Sequence, residues 1–200
     1  VIGVAGGFGH SAVLRSDGTV FAWGANDFGQ STIPPNATNV IGLSAFSSTT
    51  AALKADGTVT GWGRNLGSLN IPADLSNVVD VALGGQHGLA LIADGTVAGW
   101  GMNNFGQINI PPGATNVVSI AAGGWHSLAL RADGTLLAWG AGTFNASPED
   151  GRNYGQARIP AGASNNIVTI AAGYLYSLAV RADGTAYAWG ANHWGQLNGP

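Results

Sequence analysis

Short apolar stretches in which small and large side chains alternate recur along the chain. One stretch shows the pattern in full. Val117-Val118-Ser119-Ile120-Ala121 is a β-type run ending at Gly123-Gly124, Ser127-Leu128-Ala129-Leu130-Arg131-Ala132 is a second, and Thr135 to Trp139 a third. Asp133-Gly134 between the last two predicts a two-residue turn with both centres at positive φ, and so an antiparallel hairpin. That turn sets Leu128 opposite Trp139, Leu130 opposite Leu137 and Ala129 opposite Ala138. Alternation then puts Leu128, Leu130, Leu137 and Trp139 on one face and the alanines on the other. Ala90 with Gly99, Ala52 with Gly61 and Ala179 with Ala188 repeat the asymmetry. Small sheets with one bulky and one flat face can stack bulky on flat, so the pattern predicts radially stacked blades in which glycine and alanine give clearance. No window carries a helical period over a useful length.

The unit repeats. Asp-Gly-Thr falls at Asp17, Asp56, Asp94, Asp133 and Asp183, with spacings of 39, 38, 39 and 50 residues, and Trp-Gly follows six residues later at Trp23, Trp62, Trp100, Trp139 and Trp189. After Trp-Gly comes Asn-x-aromatic-Gly-Gln and then, in two units, Ile33-Pro34-Pro35 and Ile110-Pro111-Pro112. Proline there allows only a short outer edge strand or a loop. One repeat array spans 1–200, with units 1–39, 40–77, 78–116, 117–165 and 166–200; the fourth carries an insertion at 141–153. The fold class expected is all-β: a β-propeller of five short repeats, each blade three to four antiparallel strands, closed as a five-bladed ring or forming an arc of a larger one.

The string His126-Ser127-Leu128-Ala129-Leu130-Arg131-Ala132-Asp133-Gly134-Thr135, continued by Ala-Trp-Gly and by Asn-x-x-Gly-Gln, resembles the regulator-of-chromosome-condensation repeat in all five units. The short unit with Gly-Gln-x-x-Ile-Pro-Pro is most similar to that family's bacterial branch, which includes β-lactamase inhibitory proteins. The resemblance implies propeller blades, usually seven to a ring, of which five are present here. It also implies that aromatic contacts to a target enzyme sit on the turn just before the His10, Thr49, His87, His126 and Tyr176 column. That turn holds Gly9, Ser48, Gln86, Trp125 and Leu175, so Trp125 alone keeps the aromatic, with Phe8 and Tyr174 displaced by one. So sparse a set counts against β-lactamase inhibition and leaves Trp125 as the foremost surface anchor.

Other columns read as structure. The histidine column is expected to close a turn by hydrogen bonds to backbone, because Thr and Tyr replace His; a metal would need ligands converging at about 2.0–2.1 Å, not one per blade. The Trp column reads as core, and Phe28, Leu66, Phe105, Tyr154 and Trp194 as blade-to-blade packing. Arg15, Lys54, Ile92, Arg131 and Arg181 read as an exposed rim. The insertion is a second candidate for partner binding, through Phe144, Glu149, Asp150 and Arg152, since insertions in arrays tend to loop onto a binding face. Asn36-Ala37-Thr38 and Asn145-Ala146-Ser147 match the N-glycosylation pattern, the second weakened by Pro148.

Composition narrows the function. Charged residues are 8% of the chain, against about 25% in ordinary soluble domains. Seven cations, one of them lysine (Lys54), against ten acids give net −3, which argues against nucleic acid and a polybasic membrane patch. No apolar run approaches the roughly 18 residues of a spanning helix, so membrane insertion is not expected. The absence of cysteine excludes disulfides and thiol catalysis. Gly24 to Gly29 has P-loop glycine spacing, but Gln30 stands where lysine is required. Five of the ten acids are turn aspartates; among the rest, adjacent Glu149 and Asp150 suit no acid/base pair. The chain opens on Val1-Ile2-Gly3-Val4, without methionine or a leader pattern, so either a removed leader or an excerpt is expected.

The function expected is a non-catalytic scaffold, with no cofactor and no metal, that binds a protein or extracellular polymer through loops at one end of the blades. Low lysine and Asn/Thr/Gly-rich loops suit a secreted or cell-surface bacterial setting. The alternatives are an enzyme inhibitor of the β-lactamase-inhibitor type, nucleotide exchange on a small GTPase, and structural spacer repeats. An open arc would leave apolar blade faces wet and prone to self-association.

Overall fold

The computed structural model describes residues 1–143 and 151–199. Each repeat forms one antiparallel three-stranded sheet. Blade one holds β1 (Gly3–Gly6), β2 (His10–Leu14) and β3 (Val20–Gly24); blade two holds β4 (Val40–Phe46), β5 (Thr49–Lys54) and β6 (Val59–Gly63). Blade three holds β7 (Val78–Leu83), β8 (His87–Ile92) and β9 (Val97–Gly101). Blade four holds β10 (Val117–Ala122), β11 (His126–Arg131) and β12 (Leu136–Gly140), and blade five β13 (Ile167–Ala172), β14 (Tyr176–Arg181) and β15 (Ala186–Gly190). The Ile-Pro-Pro segments are irregular loops, so the described blades have three strands and no fourth.

The hairpin register differs from the expected one by a single residue. Leu128 pairs with Ala138, Ser127 with Trp139 and Ala129 with Leu137. The cause is the turn. The Arg131 N–H donates to the Thr135 carbonyl and the Gly134 N–H to that of Arg131, so the loop is three residues, Ala132-Asp133-Gly134. Of these only Gly134 has positive φ, at 78°. This is the three-residue hairpin with a glycine bulge, not the two-residue turn. A one-residue slip exchanges faces. One face of blade four therefore carries Leu128, Leu130, Leu136 and Ala138, and the other Ser127, Ala129, Leu137 and Trp139. The remaining blades shift alike: Leu89 pairs with Gly99, Ala51 with Gly61 and Ala179 with Tyr187.

Stacking survives the slip, because the face that carries Leu14, Leu53, Leu89 and Leu91, or Leu128 and Leu130 meets the tryptophan face of the next blade. Leu128, Leu130 and Leu136 pack with Ala179 and Trp189 of blade five, and Leu89 and Leu91 pack with Ala129 and Trp139 of blade four. Two similar cores join blade one to two, around Leu14 and Trp62, and two to three, around Leu53 and Trp100. Each fully buried leucine is worth about 1.5–3 kcal/mol. Among the described residues no such core joins blade five to blade one. The expectation that the Trp column is core holds for Trp62, Trp100, Trp139 and Trp189 but not for Trp23, which is 55% exposed where Trp139 is 5%. Its face has no neighbouring blade.

Candidate functional site

The two ends of the blades are built differently. At one end lie the Asp-Gly turns. Asp17, Asp56 and Asp94 each accept from both the N–H and the hydroxyl of the Thr two residues on, and Asp133 and Asp183 accept from the N–H of Thr135 and Thr185. These bonds hold all five carboxyls below their usual range, Asp56 at about 2. The cation column belongs here. Lys54, Arg131 and Arg181 pair with Asp56, Asp133 and Asp183 at 3.3, 3.1 and 3.4 Å, while Arg15 lies over the Phe21 ring at 3.9 Å.

The other end carries the turns between first and second strands, stitched from blade to blade by backbone. Phe8 N–H donates to the Ser47 carbonyl, Gly85 to Gly123 and Gly124 to Tyr174. A Cβ on Gly124 would run into the Tyr174 carbonyl, so glycine is required for this approach. Beneath these turns sits the histidine column; Thr49 bonds backbone as expected, donating to the Arg64 carbonyl at 2.8 Å, but the three histidines bond side chains instead. His10 Nε2 meets Thr50 Oγ1 at 2.7 Å, His87 meets Ser127 Oγ at 3.0 Å, and His126 meets Ser177 Oγ at 2.9 Å, each hydroxyl belonging to the next blade. Ser127 and Ser177 donate onward to the carbonyls of Gln107 and Gln156, which also accept the indole N–H of Trp139 and Trp189 at 2.8 Å. A hydroxyl has one proton, so in each link His Nε2 is the donor and the ring is the neutral Nε2–H tautomer. Burial enforces neutrality, lowering the pKa of His87 to about 4; burial and the neighbouring His87 lower that of His126 to about 3. Each ring bonds a hydroxyl of the next blade, and no three His, Asp or Glu among the described residues come together as a metal site.

Blade two departs from this plan at several linked positions. Thr49 replaces His, Ser68 replaces Gln, Gly88 of blade three replaces Ser, and Phe46 replaces a glycine found at Gly7, Gly84, Gly123 and Gly173. The last change depends on the first: a Cβ on Gly7, Gly84 or Gly123 would strike the histidine ring three residues on, and Thr49 removes that ring. Phe46 thereby has room for its ring, which lines a pocket with Phe8, Tyr174 and Tyr176. Sequence reasoning passed over it, and the broken glycine column paired with the lost histidine was the available signal.

Phe46 completes a run of aromatic rings. It stacks on Tyr174 at 6.2 Å; Tyr174 meets Trp125 edge-on at 4.7 Å; and Trp125 meets Phe105 at 6.4 Å. Arg152 covers both Trp125, at 5.0 Å, and Phe105, at 5.5 Å. A pocket opens beside the run, lined by Phe8, Phe46, Ser47, Tyr174 and Tyr176. Phe8 projects from its rim, 94% exposed. Of the residues singled out in sequence, Phe8, Trp125, Tyr174 and Arg152 are thus brought to one end; Phe144, Glu149 and Asp150 lie outside the described residues, as does the Asn145 glycosylation pattern. The column expected to pack between blades does so in part, with Phe105 and Tyr154 half-buried at this end. Phe28, Leu66 and Trp194 are exposed, while Phe28, Phe105 and Tyr154 touch Arg64, Trp125 and His193 of the next blade.

Comparison with known proteins places this architecture. The family model described as the regulator of chromosome condensation (RCC1) repeat matches residues 1–30, 78–107, 117–146 and 167–196, passing over the divergent second blade. No curated protein matches the chain significantly in sequence. Among solved structures it is similar to Prp20p from Saccharomyces cerevisiae, described with its binding properties to Gsp1p and histones, at TM-score 0.74 and 22% identity over 97% of this chain and 58% of that one. Human WBSCR16 aligns at TM-score 0.74 and 24% identity over 97% and 62%. The CRINKLY WD40 ectodomain of the Arabidopsis thaliana receptor kinase ACR4 aligns at 0.71 and 22% over 94% and 68%. The chain spans about three fifths of the length of the first two.

Proposed function

The chain belongs to the regulator of chromosome condensation (RCC1) repeat family, and we propose that it works as a non-catalytic binding scaffold whose ligand, a protein or extracellular polymer, docks on the aromatic end of the blades. The observation that carries this is the run Phe46–Tyr174–Trp125–Phe105, capped by Arg152 and flanked by exposed Phe8. Aromatic and arginine side chains dominate interface energies, because they bury large rigid area at small entropic cost. The aspartate end offers no comparable run of rings: its five carboxylates accept from their own threonines, and Lys54, Arg131 and Arg181 pair with the aspartates of their own turns. Kinship with an ectodomain fits a secreted or cell-surface setting for this chain.

A second reading is enzyme inhibition, for which Trp125 alone keeps the aromatic on the turn before the histidine column, Phe8 and Tyr174 being displaced by one. Biolayer interferometry of the immobilised chain against a class A β-lactamase, a small GTPase and cell-wall polymers tests both. A ligand that binds must lose affinity on Trp125→Ala and keep it on Asp133→Ala. Nanomolar inhibition of the β-lactamase would select the inhibitor. Affinity that follows Asp133 would overturn the assignment of the binding end.

A further inference from the structure

The four joints between neighbouring blades are bonded to one plan, and one joint lacks part of it. At the aspartate end every joint carries the same backbone stitch. The N–H of Val40, Val78, Val117 and Ile167 donates to the carbonyl of Gly18, Gly57, Gly95 and Gly134 in the blade before, at 3.0 to 3.2 Å. Every joint also carries an indole bond. Trp62, Trp100, Trp139 and Trp189 donate back to the carbonyls of Gln30, Ser68, Gln107 and Gln156. Towards the aromatic end three joints add two more links. A histidine donates to a hydroxyl of the next blade, and the backbone of one turn bonds the next turn, through Phe8, Gly85 and Gly124.

Between blades two and three both of those links are missing. The Thr49 hydroxyl turns to the Arg64 carbonyl of its own blade, and Gly88 offers no hydroxyl. Among the described residues no backbone bond joins the Ser47-Ser48 turn to the Gly84-Gly85 turn. A single bond stands in their place: Leu83 N–H donates to Ser44 Oγ at 2.9 Å, with serine where the other units have Ala5, Ala82, Ala121 and Ala171. The apolar core around Leu53 and Trp100 is kept, so the two blades stay docked. What this joint loses is directional bonding at one end only. Each bond removed from a joint lowers the free energy needed to part it. With the Val78–Gly57 stitch intact, parting begins at the aromatic end.

We propose that this joint is a hinge, about which blades one and two swing as one body against blades three to five, opening and closing the aromatic end. Phe46 stands on the first body and Tyr174 and Trp125 on the second, so the stack of Phe46 on Tyr174 is a latch between them. Opening the hinge breaks the aromatic run at that contact. The substitutions in blade two therefore act together: Thr49 makes room for Phe46 and, with Gly88, unties the joint that Phe46 then latches. The hinge is a property of the unliganded chain, independent of what docks at Trp125.

Hydrogen exchange of the joint indoles, followed by NMR, tests the hinge, because the same bond reports on each joint. Trp100 is 3% exposed, against 6% for Trp62 and 5% for Trp139, so burial alone predicts that Trp100 exchanges slowest. The hinge predicts the reverse, with Trp100 about tenfold faster than Trp62 and Trp139. The Leu83 amide, bonded across the same joint, is expected to open with the same free energy as Trp100. Phe46→Gly/Thr49→His/Gly88→Ser installs the histidine link of the other joints and is expected to slow Trp100 to the rate of Trp139. Exchange at Trp100 no faster than at Trp62 and Trp139 overturns the proposal. So does fast exchange at Trp100 with Leu83 still protected, which marks motion of one ring, and so does a folded triple variant in which Trp100 stays fast. If the triple variant does not fold, Phe46→Ala decides: loss of the latch is expected to speed Trp100 and leave Trp139 unchanged, and an equal rise at both overturns the hinge.

Discussion

The aspartate end and the aromatic end grow from the same five strands pairs, yet they solve different problems. At the aspartate end each turn is closed by its own residues, Asp to Thr and Arg or Lys to Asp, and five near-copies result. At the aromatic end the ring contacts cross between blades, and the residues that make it distinctive, Phe46, Trp125, Arg152 and Tyr174, depart from the repeat. Repetition specifies a turn that must be the same everywhere, whereas a binding surface needs unlike side chains at neighbouring positions. The departures from the repeat are therefore where function is to be sought.

The largest effect expected from breaking this contrast is on binding. Trp125→Ala should weaken any ligand of the aromatic end by about thirtyfold, the equivalent of about 2 kcal/mol for a central aromatic anchor, while Asp133→Ala leaves affinity within about twofold; interferometry on both variants checks this. Next comes stability without binding. Gly134 has φ of 78° and backbone of Asn166 close against it, so Gly134→Ala should cost about 1–2 kcal/mol in urea unfolding and leave ligand affinity unchanged.

Acid should separate the two ends by pH window. The buried histidines titrate at about 4 and about 3 in the fold but near 6.5 in the unfolded chain. Between those values the unfolded chain holds more protons, so stability declines as the pH falls below about 6.5. The turn aspartates have lowered values and lose their contribution only as the pH falls below the usual carboxylate range. Thermal melts from pH 7 to 3 should show both limbs, and His126→Gln should flatten the upper one. The smallest effect is at the rim, where Lys54→Ala should shift the melting temperature by no more than about one degree, because an exposed pair contributes little.

Much of this was legible in the sequence. The period follows from Asp-Gly-Thr and Trp-Gly and the strand triplets from the apolar runs around them, whereas the expected partition into one bulky and one flat face does not hold. The register was not legible, because Asp-Gly closes both two- and three-residue hairpins and only Ala132 joining the loop separates them. The histidine links were hidden because their partners lie about forty residues away in the next blade. Trp23 reads like its four counterparts, and its exposure depends on a neighbouring blade that no local pattern reveals. Phe8, Trp125 and Tyr174 stood out as aromatics in a turn that is otherwise small or polar, but Phe46 became visible only when the ring missing at Thr49 explained the space it fills.

The most direct measurement is a glycan, peptide and protein array probed with the labelled chain, with a Phe8→Ala/Trp125→Ala variant and with Asp133→Ala. The account predicts signal from the parent chain that Asp133→Ala keeps and the double variant loses. Signal lost on Asp133→Ala and kept by the double variant would contradict it, as would a parent chain that binds nothing on the array.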